Sequence, residues 1–330
     1  MATPYTVDND GALHLGPRAI PVPSSISPAA RAFLAAVPRI PIPETPALSD
    51  KEGWYRHVRE VDGNPLMAVS DEMIASIEAT VDTHTIAGVP VYVATPKRRS
   101  AQTDQQIYLD IHGGGFIAGG GKLAKLRAAR AAAEFDCICY GVDYRMPPDH
   151  PYPASLDDCI GVYNAILALH PSTSPIVGGV SAGGNLAAAL ALKVRDAGQP
   201  LPLALLLLSP ALDLTKSGDS FETNKYIDVV LRGGEAGYQE IYADGHDLSD
   251  PYISPLFGNF ERGFPPTFLQ SGTRDLFLSN VTRMQRALRK ANIPVDLQLW
   301  EAMPHGGFGP APETEEVSAA IRHFINAQWK

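Results

Sequence analysis

Ile176-Val177-Gly178-Gly179-Val180-Ser181-Ala182-Gly183 is the stretch whose reading decides the fold of this chain. An apolar run leads into a Gly-x-Ser-x-Gly pattern, and the Ala/Leu-rich sequence after it reads as a helix. Strand, tight turn and helix in that order hold a serine on a strained bend with its hydroxyl exposed. Glycines flank the serine because the backbone approaches too closely there for a side chain. Upstream, His112-Gly113-Gly114-Gly115 supplies consecutive backbone N–H groups free of side chains, the donors that a developing oxyanion needs. Each pattern alone is common, but the two in this order point to acyl-transfer chemistry.

Outward from that bend, strands and helices alternate. The periodicity predicts strands at 106–111, 137–143, 175–180, 203–208, 267–270 and 295–300. Helices are predicted at 122–134, 155–170, 182–197, 278–291 and 314–328. The run Leu203 to Leu208 is continuously apolar, as in a sheet covered on both faces. Before this rhythm begins, 80–86 and 89–94 alternate around Ala87-Gly88 and predict an antiparallel hairpin. The whole predicts an α/β fold with a mostly parallel sheet between helical layers.

Prolines crowd the first 50 residues (Pro4, Pro17, Pro21, Pro23, Pro28, Pro38, Pro41, Pro43 and Pro46), which argues against regular sheet and long helices there. Short helices are predicted after Ser27-Pro28, from Ser49-Asp50 through Val58, and over 65–79. Residues 1–75 therefore read as an amino-terminal helical cap segment, and 76–330 as the catalytic domain. A cap insert at about 215–247 interrupts the strand rhythm, with helix-like stretches at 226–231 and 235–242. The two cap pieces are expected to pack together as a lid over the strand ends.

A chain of 330 residues with 45% hydrophobic and 19% charged residues is ordinary for a globular protein with a large core. Its formal charge of −9 argues against nucleic acid as partner. No apolar run approaches the roughly 20 residues that span a bilayer, so no stable membrane insertion is expected. Met1-Ala2-Thr3-Pro4-Tyr5 lacks the basic and apolar regions of a secretory signal. The three cysteines, Cys137, Cys139 and Cys159, read as small buried hydrophobes in a reducing cytoplasm.

A serine hydroxyl needs a base within reach, and the base needs an orienting carboxylate. His305, in Met303-Pro304-His305-Gly306-Gly307-Phe308, follows the last predicted strand and is the candidate base. Two aspartates compete as orienter. Asp275 follows the penultimate strand on a turn led by Gly272, and it has the chain order Ser, acid, His that favours it. Asp213 follows the strand before that and reads otherwise as a cap or turn former. The oxyanion donors are assigned to the N–H groups of Gly113, Gly114 and Ala182, and His112 to bracing that loop. Gly119-Gly120-Gly121 has no Lys-Ser/Thr pair after it, so phosphate binding is disfavoured. No Cys/His cluster has zinc spacing, and no metal or cofactor is required.

With these residues in place, the chain resembles the hormone-sensitive-lipase-like family of α/β-hydrolases over roughly residues 80–328. Besides the glycine loop and the elbow, Tyr144-Arg145-Met146-Pro147-Pro148-Asp149-His150-Pro151-Tyr152-Pro153-Ala154 is similar to that family's Tyr-Arg-x-x-Pro-Glu-x-Pro-x-Pro-Ala signature, with Asp149 replacing the glutamate. The resemblance implies the α/β-hydrolase fold with a helical cap and an esterase acting on short acyl chains. It places the nucleophile on Ser181, the acid on Asp275 and the base on His305. Val180 stands where the family usually has aspartate or threonine. Gly306-Gly307-Phe308 stands where Gly-Phe is common.

The expected function is hydrolysis of small-molecule carboxylic esters through an acyl-enzyme. The same triad also serves lactones and aryl formamides, and the same fold can carry a non-catalytic small-molecule receptor. The alternating last strand, Val295 to Trp300, is the candidate edge for a homodimer.

Overall fold

The computed structural model describes residues 5–36, 45–63, 68–232 and 237–329. The chain begins with a small hairpin, β1 (Tyr5–Val7) and β2 (Leu13–Leu15), and continues with α1 (Pro28–Ala36), α2 (Lys51–Asp62) and α3 (Asp71–Ala75). The sheet proper comprises β3 (Ala79–Ile86), β4 (Val89–Pro96), β5 (Ile107–Ile111), β6 (Ile138–Val142), β7 (Ile176–Val180), β8 (Leu205–Leu208), β9 (Thr267–Gly272) and β10 (Val295–Trp300). Between them lie α4 (Lys122–Phe135), α5 (Ala154–Leu169), α6 (Ala182–Asp196), α7 (Ser220–Thr223), α8 (Tyr238–Ala243) and α9 (Leu278–Lys290), and α10 (Pro312–Gln328) closes the chain.

Among the described residues these strands form one eight-stranded sheet in the order β10-β9-β8-β7-β5-β6-β4-β3. The pairs on either side of β5 and outward to β10 are parallel, whereas β4 runs antiparallel to both β3 and β6. The chain leaves β5 for β6 on one side and then crosses to β7 on the other. That reversal opens a crevice at the carboxyl ends of β5 and β7, where ligands bind in open α/β sheets. His112 to Gly115 follow β5 and Ser181 follows β7, so both motifs sit at the crevice.

The central strands, β5 to β9, are buried on both faces because alternate side chains feed two cores. Leu109, Val177, Leu205, Leu207 and Leu269 face α5, α6 and α9 through Tyr163, Leu186, Leu190 and Met284. Tyr108, Cys139, Leu206 and Phe268 face the opposite layer, where α4 and α10 contribute Ala129, Ala132, Phe324 and Ile325. Each fully buried leucine stabilises the fold by roughly 1.5–3 kcal/mol relative to exposure. This two-sided burial explains why the strands read as apolar runs.

Three expectations need correction. The first segment does contain sheet. Residues 5–15 lie between Pro4 and Pro17, so no proline interrupts them, and Asp8 Oδ1 accepts from Asp10 N (3.0 Å) and Ala12 N (2.9 Å) to close the turn. The helix expected over 65–79 is only α3, opened by Ser70 Oγ on Met73 N at 3.2 Å. Residues 64–67 lie outside the described residues, and Ala79 already pairs with Pro96 in the hairpin. The stretch 226–231 is not helical. Asp228 Oδ1 instead accepts from Val230 N (2.8 Å) and Leu231 N (3.2 Å), a local turn that competes with helix. Of the helix expected over 235–242, residues 235–236 lie outside the described residues and the rest falls in α8.

The amino-terminal helices and the insert do touch. Trp54 and His57 of α2 pack edge-on against Tyr238 of α8, at centroid distances of 6.1 and 5.5 Å, and His57 Nε2 lies 2.7 Å from Tyr238 Oη. The contact covers the glycine loop, because Trp54 also packs with Ile117 and Ala118.

Candidate active site

Ser181 occupies a backbone conformation of φ 58°, ψ −120°, at the junction of β7 and α6. A non-glycine residue holds such a conformation only where its surroundings over-determine it. They do so here: Ser181 N donates to Leu208 O at 2.9 Å, and Ser181 O accepts from Asn185 N (3.1 Å) and Ala211 N (3.2 Å). Gly183 lets α6 start directly against β5, since a Cβ there would run into Ile111 O.

The glycine loop lies against this elbow. A Cβ on Gly113 would sit 2.7 Å from Val180 O and 3.3 Å from Ser181 Cβ, so only glycine allows the loop to come this close. Among the described residues, no group accepts a hydrogen bond from the N–H of Gly113, Gly114 or Ala182. His112 braces the loop: its Nδ1 lies 2.7 Å from Gly113 O, and its ring stacks on Tyr144 at 4.0 Å. Tyr144 Oη in turn donates to His112 O at 2.9 Å. Burial pushes the His112 pKa down, which keeps the ring neutral. Tyr144 opens the proline-rich signature run, and the next residue, Arg145, grips Asp158 of α5 with Nη2 at 2.7 Å and Nε at 3.0 Å.

On the far side of β8, the loops after β9 and β10 are joined to each other. Thr273 N donates to Trp300 O (3.0 Å), Arg274 N to Met303 O (3.2 Å), and Ala302 N to Thr273 Oγ1 (2.7 Å). This brings the fully buried Asp275 to His305, with Oδ1 3.2 Å from Nδ1. The same Oδ1 accepts from Phe277 N at 2.9 Å, and Oδ2 accepts from Ser271 Oγ at 2.9 Å. Burial alone would raise the Asp275 pKa, but the imidazole, with Phe277 N and the Ser209 hydroxyl, outweighs it and holds the carboxyl below its ordinary value. The Phe277 ring stands edge-on to His305 at 5.0 Å. Gly306 N donates to Ser209 Oγ at 3.4 Å, and Val180 pairs in register with Leu208. The histidine loop therefore hangs beside the residue that neighbours Ser181 across the sheet.

Asp213 is committed elsewhere. Its carboxylate accepts from Thr215 N (3.0 Å), Thr215 Oγ1 (2.5 Å), Ser217 Oγ (2.6 Å) and Arg283 Nη1 (2.5 Å). Burial opposes ionisation, yet these donors pull its pKa below the ordinary value. The three cysteines are free and buried, and burial pushes each thiol well up, which leaves them unreactive.

Motif reading passed over the residues that hold the acid loop from outside. Asn224 Nδ2 donates to Asp275 O at 2.8 Å, and Ser220 Oγ donates to Leu276 O at 2.7 Å. Asp228 Oδ2 accepts from Leu276 N at 2.8 Å and from His305 N at 3.3 Å. All three come from the insert after β8. They recur every four positions, but among other polar residues such as Glu222, Thr223 and Lys225, so they leave no distinctive pattern.

A family model described as alpha/beta hydrolase fold matches residues 108–308, which contain all of the groups above. The chain is 33% identical over 202 residues to an esterase of Acinetobacter venetianus, covering 60% of this chain and 66% of that protein. Among solved structures it is similar to esterase E25, with a TM-score of 0.85 and 34% identity over 94% of this chain and 97% of the other. It is also similar to an esterase from the bacterial hormone-sensitive lipase family, with a TM-score of 0.75 and 27% identity over 92% and 99% of the two chains. Among the described residues, no helix is long and apolar enough to cross a membrane.

Proposed function

This chain belongs to the α/β-hydrolase fold family, and from that premise we propose that this ester hydrolase cleaves short-chain carboxylic esters with Ser181 as nucleophile, His305 as base and Asp275 as orienting acid. The observation that carries the reading is the buried Asp275–His305 contact of 3.2 Å on the same rim as a strained serine elbow. Ser181 Oγ attacks the ester carbonyl carbon while His305 takes its proton. Asp275 keeps the Nδ1 proton on the imidazole and stabilises the imidazolium. The N–H groups of Gly113, Gly114 and Ala182 hold the oxyanion. The C–O bond then breaks and the alcohol leaves with the proton from His305. Water attacks the acyl-enzyme by the same route, releasing the acid and restoring the serine.

Preference for a short acyl chain is supported by the aromatic cover on the glycine loop, where a Cβ on Gly115 would lie 2.6 Å from the Tyr238 ring. Three buried free thiols fit a reducing cytoplasm. β10 is one of the two outer strands of the sheet, a position that pairing between two copies would use, and sedimentation at the monomer mass would remove that dimer.

The test is hydrolysis of p-nitrophenyl esters from acetate to palmitate, with fluorophosphonate labelling. Activity is expected to peak at short chains, and Ser181→Ala is expected to lose labelling and about six orders of magnitude in kcat with the fold intact. Ester hydrolysis surviving in Ser181→Ala would end the triad reading. Reversible ester binding with neither labelling nor turnover would make the chain a receptor.

A further inference from the structure

Asp228 is a fully buried carboxylate beside the triad that the steps above leave without a task. Its two oxygens do different things. Oδ1 closes its own turn through Val230 N (2.8 Å) and Leu231 N (3.2 Å). Oδ2 reaches out of the insert and accepts from Leu276 N (2.8 Å), one residue past the acid, and from His305 N (3.3 Å), the main chain of the base itself. A single oxygen thus ties together two loops that leave neighbouring strands β9 and β10. Ser220 and Asn224 hold the carbonyls of Leu276 and Asp275 at 2.7 and 2.8 Å from the same segment. The peptide after the catalytic acid is therefore gripped on both its donor and its acceptor side.

We propose that Asp228 is a positioning residue for hydrolysis: its carboxylate locks the acid and base loops at their working separation and adds a second negative charge beside the His305 imidazole. The proposal rests on the triad reading above. Among the described residues, the four groups that hydrogen-bond the carboxylate are all N–H donors, an arrangement that suits the ionised form. Burial first, and the Asp275 carboxylate second, push the Asp228 pKa up, while the His305 imidazole and the backbone donors pull against them. Asp275, from the loop after β9, and Asp228, from the insert, are ionisable groups among the described residues that face His305. Ser209 after β8 and Phe277 before α9 add only neutral contacts.

The role has a signature that a structural prop would lack. When His305 becomes an imidazolium, a second nearby carboxylate favours that charged form. Asp228→Asn keeps the size but turns one oxygen into an NH2 group, which faces two N–H donors and carries no charge. Kinetics on p-nitrophenyl butyrate, normalised to the fraction of enzyme that a fluorophosphonate titrates, should show kcat reduced about 10- to 100-fold with KM changed less than about threefold. The acid limb of the kcat/KM pH profile should move to lower pH, because imidazolium has lost a stabilising charge. Asn224→Ala, which loosens the acid loop and leaves the charge in place, should lower kcat without moving that limb. Asp228→Ser, smaller and also uncharged, is the second variant, with the same expected shift.

Wild-type kcat in Asp228→Asn would overturn the proposal, as would reduced kcat with an unmoved acid limb. Failure of both Asp228 variants to fold, seen by circular dichroism, would assign the residue to the fold alone and overturn it equally. The triad reading fails separately, through survival of activity in Ser181→Ala.

Discussion

The two halves of the catalytic rim are built on different principles. At the β5–β7 side, the glycine loop and the elbow are held by steric closeness: Gly113 lies where a Cβ would be 2.7 Å from Val180 O, and Ser181 is pinned at φ 58° by main-chain hydrogen bonds. At the β9–β10 side such crowding occurs at one point, the end of β9, where a Cβ on Gly272 would run into Met303 O. Besides that contact and the hydrogen bonds between them, the acid and base loops are gripped by polar side chains from a distant segment, Ser220, Asn224 and Asp228. Close packing demands particular residues at fixed spacing, so it leaves a motif. Side-chain hydrogen bonds can be supplied from many places in the chain, so they leave none. The two sides also meet different chemical demands. An oxyanion needs donors that cost no reorganisation as charge develops, which rigid backbone provides. A base that takes and returns a proton needs its charge compensated, and buried carboxylates do that.

Breaking the polar side at its centre should have the largest effect. Asp275→Asn preserves shape but no longer enforces the imidazole tautomer, and kcat is expected to fall about 10⁴-fold, as in related triads. The expected change in Tm is small, since the amide oxygen can still accept from Phe277 N and the amide NH2 can donate to Ser271 Oγ. Steady-state kinetics beside a thermal melt would check this. A fall below about tenfold would show that the acid side does not depend on this carboxylate.

The steric side should break by another route. Gly113→Ala puts a Cβ against main chain that belongs to the elbow, so the loop must retreat from Ser181. Losing the aim of one oxyanion donor costs about 3–4 kcal/mol, a kcat loss of about 10²- to 10³-fold. The pH profile should keep its acid limb, since no charge near His305 changes. That unmoved limb separates the steric side from the polar one in a single assay. A Gly113→Ala enzyme with near-normal kcat would mean that the loop has slack and the comparison is wrong.

What could be read from the sequence follows the same division. The elbow, the glycine loop and the parallel strands were legible because each is a local pattern: flanking glycines, or apolar runs buried on both faces. The choice of Asp275 over Asp213 rested on chain order; in the structure Asp275 lies against His305, while Asp213 accepts from Thr215, Ser217 and Arg283. The hairpin at 5–15 was hidden because the prolines around it set the reading, although Asp8 and Gly11 carry the turn. Asp228 was hidden twice. Its neighbours Tyr226 and Val230 suggested helical spacing, and its partners Leu276 and His305 lie far along the chain. A contact made by one side chain to two remote main-chain groups has no period.

The smallest effect should come from Asp213, the aspartate that the proposed triad leaves out. Arg283→Ala removes one of the four donors described for Asp213, whose side chain has no exposed surface, while the Arg283 side chain is 37% exposed. Solvent screening at that end reduces the penalty from the roughly 3–5 kcal/mol of a fully buried broken pair to about 1–2 kcal/mol. Activity per folded molecule should stay within about twofold, because Asp213 does not contact the triad. The loss should depend on pH in a definite sense. The donors hold the Asp213 pKa below its unfolded value. Its stabilising contribution is therefore complete above about pH 4 and disappears as the pH falls through the lower, folded value. Thermal melts of the two proteins should differ most near neutral pH and converge below about pH 4. If the gap instead widened in acid, or if kcat fell with stability at neutral pH, Asp213 would share in holding the catalytic loops, and the polar side of the rim would extend to α9.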